Sequence, residues 1–171
     1  MTDARTPQSL QVQRSRRGWI LLWILAVGVV VAFGAWFVTH PPPLPVPDQP
    51  VEVQIPLGES EYVGIYDPGA DDERTLHISK VTLDVDGEAR VEALVCQDGT
   101  VSVTHEPNTF CSSLVEADGA TLEPGDGLVL EILDDEPGEA TVQRVEISYR
   151  DGVRWGTQPV GPTVEATFLS R

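Results

Sequence analysis

Lysine is nearly absent from this 171-residue chain. Lys80 stands alone beside ten arginines, and all basic residues together number 11 against 27 acidic ones. A net charge of −16 repels phosphate backbones, so binding of nucleic acid is excluded as a function. Histidine is equally scarce, with three residues, and none forms a His-x-x-x-His spacing or a Cys/His cluster suited to zinc. There is no Gly-x-Ser-x-Gly elbow. Ser112, Ser113, His105 and several aspartates can be assembled on paper into a hydrolase triad, but such a set is recognised by geometry and not by composition. Aromatic residues make up 6% of the chain, too few to suggest a sugar-stacking platform. We therefore expect no enzyme, no catalytic residues and no cofactor.

What the chain does have is strong segmentation. Residues 1–17 carry Arg5, Arg14, Arg16 and Arg17 against Asp3, a charge of +3. Residues 18–38 carry none, so the chain from Thr39 onward carries −19. Such an asymmetry points to parts with separate jobs. An acidic outer part favours cationic partners or divalent cations, and it also simply keeps proteins soluble.

The uncharged run Gly18–Val38 holds 21 residues. At about 1.5 Å per residue a helix of this length spans the ~30 Å hydrocarbon core of a bilayer. Backbone groups in lipid must bond internally, so the run is expected to be a transmembrane helix over 18–39. Trp19 and Trp23 near one end and Trp36 near the other fit an interfacial aromatic belt. Arg14, Arg16 and Arg17 abut the N-terminal end, and the first basic residue after the run is Arg74. The positive-inside rule then places the tail 1–17 in the cytoplasm and the C-terminal part outside, in a single-pass plasma-membrane protein. Three other readings stay open. Ala32-Phe33-Gly34 offers a weak signal-peptide cleavage site, although the apolar run exceeds the usual h-region. Ser15-Arg16-Arg17-Gly18-Trp19 resembles a twin-arginine export signal. Gly28 and Ala32, at small-xxx-small spacing, offer a helix-pairing face for a homodimer.

Prolines 41, 42, 43, 45, 47 and 50 follow. Proline fixes φ and lacks an amide donor, which excludes helix and central strand. Residues 40–50 are expected as a polyproline II spacer of roughly 30 Å, holding the outer domain off the bilayer. A PxxP ligand for an aromatic groove is the sharper alternative.

From Val51 the pattern becomes short alternations broken by Gly, Pro and Asp. Val51–Ile55, Glu61–Tyr66, Val81–Val85, Glu88–Cys96, Thr100–Thr104, Leu128–Leu133, Val145–Tyr149, Val153–Trp155 and Val164–Phe168 read as strands. Asp86-Gly87, Asp98-Gly99 and Asp151-Gly152 read as two-residue hairpin turns, since the type I′ turn needs positive φ. Residues 123–127 and 134–138 read as loops. No helical period intervenes. The fold class expected for 51–171 is an all-β domain, a β-sandwich of the immunoglobulin-like or jelly-roll class, preceded by one transmembrane α-helix.

Cys96 and Cys111 both fall in this outer domain. Outside the membrane the setting is oxidising, so they are expected to form a disulfide. Asp84-Val85-Asp86-Gly87-Glu88 is acidic but fails the ligand pattern of a calcium loop; Asp71-Asp72-Glu73 and Asp134-Asp135-Glu136 could hold a hard cation between loops, but they read as solvated turns, and no metal site is expected. Arg154 and Trp155 are a candidate partner contact, because Trp and Arg anchor many interfaces. A core Trp closing the sandwich is the competing reading. The expectation for function is a non-enzymatic, membrane-anchored sandwich that binds or scaffolds a protein of the cell envelope. The alternative is a ligand- or cation-sensing ectodomain.

Overall fold

The computed structural model describes residues 16–69 and 74–170. They fall into two compact units, one ending at Trp36 and the other beginning at Phe37. The first contains most of a single helix, α1 (Arg16–Thr39). Its stretch Gly18–Thr39 has a mean hydropathy of 2.5 and nothing buried, which is long and apolar enough to cross a membrane. A signal sequence meets the same criterion.

The second unit is built from two sheets. Its strands are β1 (Val51–Pro56), β2 (Glu61–Tyr66), β3 (Leu76–Asp86), β4 (Arg90–Gln97), β5 (Val103–Thr104), β6 (Ser113–Glu116), β7 (Thr121–Leu122), β8 (Gly127–Leu133), β9 (Gly138–Asp151), β10 (Arg154–Val160) and β11 (Val164–Leu169). One sheet runs β1-β11-β9-β3-β7, with β10 also paired to β9; the other runs β5-β2-β8-β4-β6. The arrangement is sandwich-like. Period-two alternation explains it: Val53 and Ile55 of β1, Val164, Ala166 and Phe168 of β11, and Val145, Ile147 and Tyr149 of β9 all point inward. They meet Val63, Leu128, Leu130 and Ile132 from the facing sheet. Burying each large aliphatic side chain contributes roughly 1.5–3 kcal/mol, and this shared face holds the layers together.

The first and last strands pair in parallel, Val51 opposite Val164 through Pro56 opposite Leu169. No local pattern announces that pairing. The chain reverses into the expected hairpin next to Asp151-Gly152, but the loop is Gly152-Val153, one residue later than expected, with Arg154 opposite Asp151 and Val160 opposite Val145. The other two Asp-Gly steps are not hairpins. β3 and β4, on either side of Asp86-Gly87, belong to different sheets. β4 and β5, around Asp98-Gly99, lie in one sheet but do not pair. Asp-Gly supplies a sharp reversal, and a reversal serves an arch between layers as well as a turn within one. Both β3 and β4 carry an apolar face, and facing each other across the core buries both.

Between β4 and β6 the chain makes an excursion over the outer face of the second sheet. Cys96, on the side of β4 away from the main core, is bonded to Cys111 with Cα atoms 5.2 Å apart. With Val129 they form a second small core, against which Tyr62, Val101 and Leu114 pack. Gly64 makes the close approach possible: its amide donates to Ser102 O at 2.8 Å, and a Cβ there would lie 1.9 Å from Val101 O. The buried Asp126 carboxylate accepts from the amides of Asp98 and Glu123, both at 2.8 Å, and so ties the excursion to the turn before β8.

Candidate interaction surface

The β9–β10 hairpin sorts its residues by face. Tyr149 points into the core and Arg150 points out, and their partners on β10 are Gly156 and Trp155. Trp155 therefore stands on the outer face, 56% exposed, with the Arg150 guanidinium 5.6 Å from its ring centroid. It is not a core residue. Val153, in the turn, is 66% exposed. The register places His77 opposite Arg150 on the same face, hydrogen-bonded to Thr121 at 3.0 Å. A row Trp155-Arg150-His77-Thr121 thus crosses four strands. Beside it Ser148 and Thr157 share a 2.8 Å hydrogen bond, and the exposed Lys80 lies opposite Ser148. In a chain this acidic, Arg150 and Lys80 make an uncommon cationic end of one sheet face.

Arg154 and Trp155 stand on opposite faces of β10. Strand alternation sends Arg154 to the opposite face, where its guanidinium sits 4.0 Å from the centroid of the Phe37 ring. Arg150, two positions before the turn, takes the place beside the indole. The sequence signal points one residue off: a turn at Asp151-Gly152 would set Arg150 opposite Val153, whereas the loop at Gly152-Val153 sets it opposite Trp155.

The inner side of β10 holds the start of the proline segment. Pro41 and Leu44 are buried there. Gln158 Oε1 accepts from Leu44 N at 3.0 Å, and its Nε2 donates to Pro41 O at 3.3 Å. Tyr149 Oη donates to Pro42 O at 3.4 Å, and Gly161 N to Pro45 O at 3.2 Å. Glycine is required at 156, because a Cβ would come within 2.6 Å of Pro41 Cγ. Pro41–Pro45 is thus a strap laid along β10, not a free rod. Polyproline backbone leaves its carbonyls unbonded, and here side-chain donors from the sheet reach them.

Beneath the strap lies a polar group of half-buried side chains. Arg74 pairs with Asp151 at 3.1 Å. Burial works against the charge on Arg74, but Asp151, Tyr66 and Tyr149 outweigh it and raise the guanidinium pKa. Burial also pushes the Tyr149 phenol up, with Arg74 pulling the other way.

The remaining candidates are spread out. Ser112 Oγ donates to Asp98 at 3.0 Å and to Gln97 O, while His105 Nδ1 sits 2.8 Å from Glu61, so the serine and the histidine serve different partners. Asp134 accepts from Glu136 N at 3.1 Å within its own turn. Asp84 and Asp86 are exposed on β3. Asp71, Asp72 and Glu73 lie outside the described residues. Among the described residues no group of three His, Cys, Asp or Glu side chains could hold a metal ion. Gly28 and Ala32 lie one turn apart on exposed helix surface. The chain matches no protein-family model and no curated protein sequence.

Proposed function

We propose that this protein is a non-enzymatic, single-span protein of the plasma membrane whose outer domain binds or scaffolds a protein of the cell envelope. In this reading the N-terminus is cytoplasmic, α1 is the uncleaved anchor, and the domain from Val51 is a sandwich of the immunoglobulin-like or jelly-roll class. That class hosts many functions, so the fold itself carries no functional argument. The observation that carries the reading is Trp155. An indole more than half exposed beside an arginine, on a regular sheet face, contributes little to stability and has the composition of an interface anchor. The small-residue pair Gly28 and Ala32 offers a secondary route to a homodimer.

The test is co-purification of the full chain from membranes in mild detergent. A stoichiometric membrane partner should be retained by the wild type and lost in Trp155→Ala, with the melting temperature of the domain unchanged to within about 2 °C, as expected for an exposed position. Retention of the partner in Trp155→Ala defeats the assignment of this surface. A mature chain that begins after Ala32-Phe33-Gly34 defeats the anchor. A saturable thermal shift with calcium supports the ligand- or cation-sensing alternative instead.

A further inference from the structure

The sandwich is not closed on the side of β3. β9 pairs with β3 along its whole length, but β7 covers only Leu76 and His77 on the other side. Ile78 N then reaches Ala120 O at 2.9 Å, and Val81 N reaches the Asp118 carboxylate. From there to Asp86 no strand pairs with this side of β3 among the described residues. Backbone groups alternate sides along a strand, so Leu83, two residues after Val81, directs its N–H and C=O to the same open side. Across the gap, β6 pairs with β4 only from Leu94 onward. On that edge Ala93 O still accepts from Ala117 N at 3.0 Å, and the halves of β3 and β4 with no strand on their outer edges face each other across a cleft of about 480 Å³.

The walls of this cleft are apolar and incompletely covered: Val81 and Leu83 on one side, Val91 and Ala93 on the other. Its polar lining is Glu92, Glu116 and Asp118, acidic without exception. Asp84 and Asp86 project from the same edge on its outer face. An open strand edge with an apolar trough behind it invites pairing with another chain. A second copy of this protein would bring the same carboxylates and be repelled. The complementary occupant is an extended segment in which aliphatic side chains alternate with lysine or arginine. Its backbone would continue the sheet beside Leu83, its aliphatic side would fill the trough, and its cations would face the carboxylates.

We infer that the open edge of β3, with the cleft between β3 and β4, is an acceptor site for an extended, alternating aliphatic and basic strand of a partner protein. This rests on the reading of the outer domain as a protein-binding module, and it places a binding site away from Trp155.

The probe is an acetylated, amidated heptapeptide alternating lysine and valine, titrated against the full chain in detergent. A peptide of the same composition with its lysines and valines in separate blocks is the control. The expected result is saturable binding at least tenfold tighter for the alternating peptide, together with slowed amide exchange in Val81–Asp86. Leu83→Pro, which removes an edge-facing donor, should weaken binding at least tenfold. The exposed double substitution Glu92→Lys with Glu116→Lys, which leaves the core untouched, should do the same and should reverse the preference toward a glutamate–valine peptide. Equal binding of the two lysine peptides, or binding indifferent to the double substitution, overturns the inference. Trp155→Ala separates the two sites: it should leave peptide binding intact. Failure of the peptide with Trp155-dependent partner capture intact defeats only the edge; the reverse result defeats only the Trp155 surface.

Discussion

The side-chain carbonyl of Gln158 accepts a hydrogen bond from the backbone amide of Leu44 at 3.0 Å, across 114 residues of sequence. Gln158 Nε2 donates to Pro41 O at 3.3 Å, so one side chain holds both ends of a short proline stretch. A segment whose composition reads as a spacer is thereby fixed onto β10.

Gln158→Ala should release the strap. Each neutral hydrogen bond lost costs on the order of 1 kcal/mol, so the substitution should destabilise the domain by about 1–2 kcal/mol. Limited proteolysis of the full chain should show faster cleavage within residues 40–50. Gly156→Ala should have the same effect by displacing Pro41. Unchanged cleavage in both variants would show that the strap is held by other contacts.

Removal of the Cys96–Cys111 disulfide should cost about 3 kcal/mol, the loop-entropy value for a 15-residue separation. Cys96→Ala with Cys111→Ala should lower the melting temperature by roughly 8 °C or more on this scale. The excursion over the second sheet should exchange amide hydrogen first, while the β9–β10 hairpin stays protected. Uniform loss of protection would contradict the existence of a separate second core.

Glu61 gives the domain a pH dependence. Burial raises its pKa above the ordinary 4.5, and the attraction of His105 only partly opposes this. The folded state therefore binds more protons than the unfolded state within the window from 4.5 up to the raised value. Stability at this site is greatest below 4.5, falls as pH rises through the window, and stays reduced above it. Glu61→Gln removes the titration. The melting temperature of the variant relative to wild type should climb as pH rises above 4.5 and level off above the raised value. A difference that is flat with pH would show that the ion pair with His105 balances burial.

Arg74→Met should destabilise the domain by about 1–3 kcal/mol, since Asp151 loses its half-buried cation and Tyr149 loses a neighbour. Asp151→Asn should cost less, because an amide can still accept from the guanidinium. Chemical denaturation of both variants checks the order. Equal losses would mean that charge, not hydrogen bonding, sets the value of the pair.

Much of the architecture is legible in local pattern. Alternation at Val51–Ile55, Val145–Tyr149 and Val164–Phe168 identifies strands and their inward faces, because a half-buried strand must alternate. The hairpin near Asp151-Gly152 is legible for the same reason, but its register is not: the loop falls at Gly152-Val153, and only that shift pairs Arg150 with Trp155. Strands β6 and β7, of four and two residues, are too short to alternate detectably, while the run Thr100–Thr104 reads as a strand of which only Val103–Thr104 pairs. The arches at Asp86-Gly87 and Asp98-Gly99 carry the same dipeptide as the true hairpin, so only the layer each strand joins tells them apart. The open edge of β3 is invisible in sequence, since Val81–Asp86 reads like any paired strand.

The sequence by itself determined the apolar helix, the acidic β-rich domain and the candidate disulfide. Each follows from composition or short-range periodicity, which act through neighbours along the chain. Only the tertiary structure decided that Trp155 is exposed, that Arg154 turns away from it, that the prolines are strapped to β10 and that β3 keeps a free edge. Those outcomes depend on which distant segments compete for the same surface. Gln158 meets Leu44, and the edge of β3 away from β9 lacks a strand neighbour past Val81 among the described residues, because of where the rest of the chain packs.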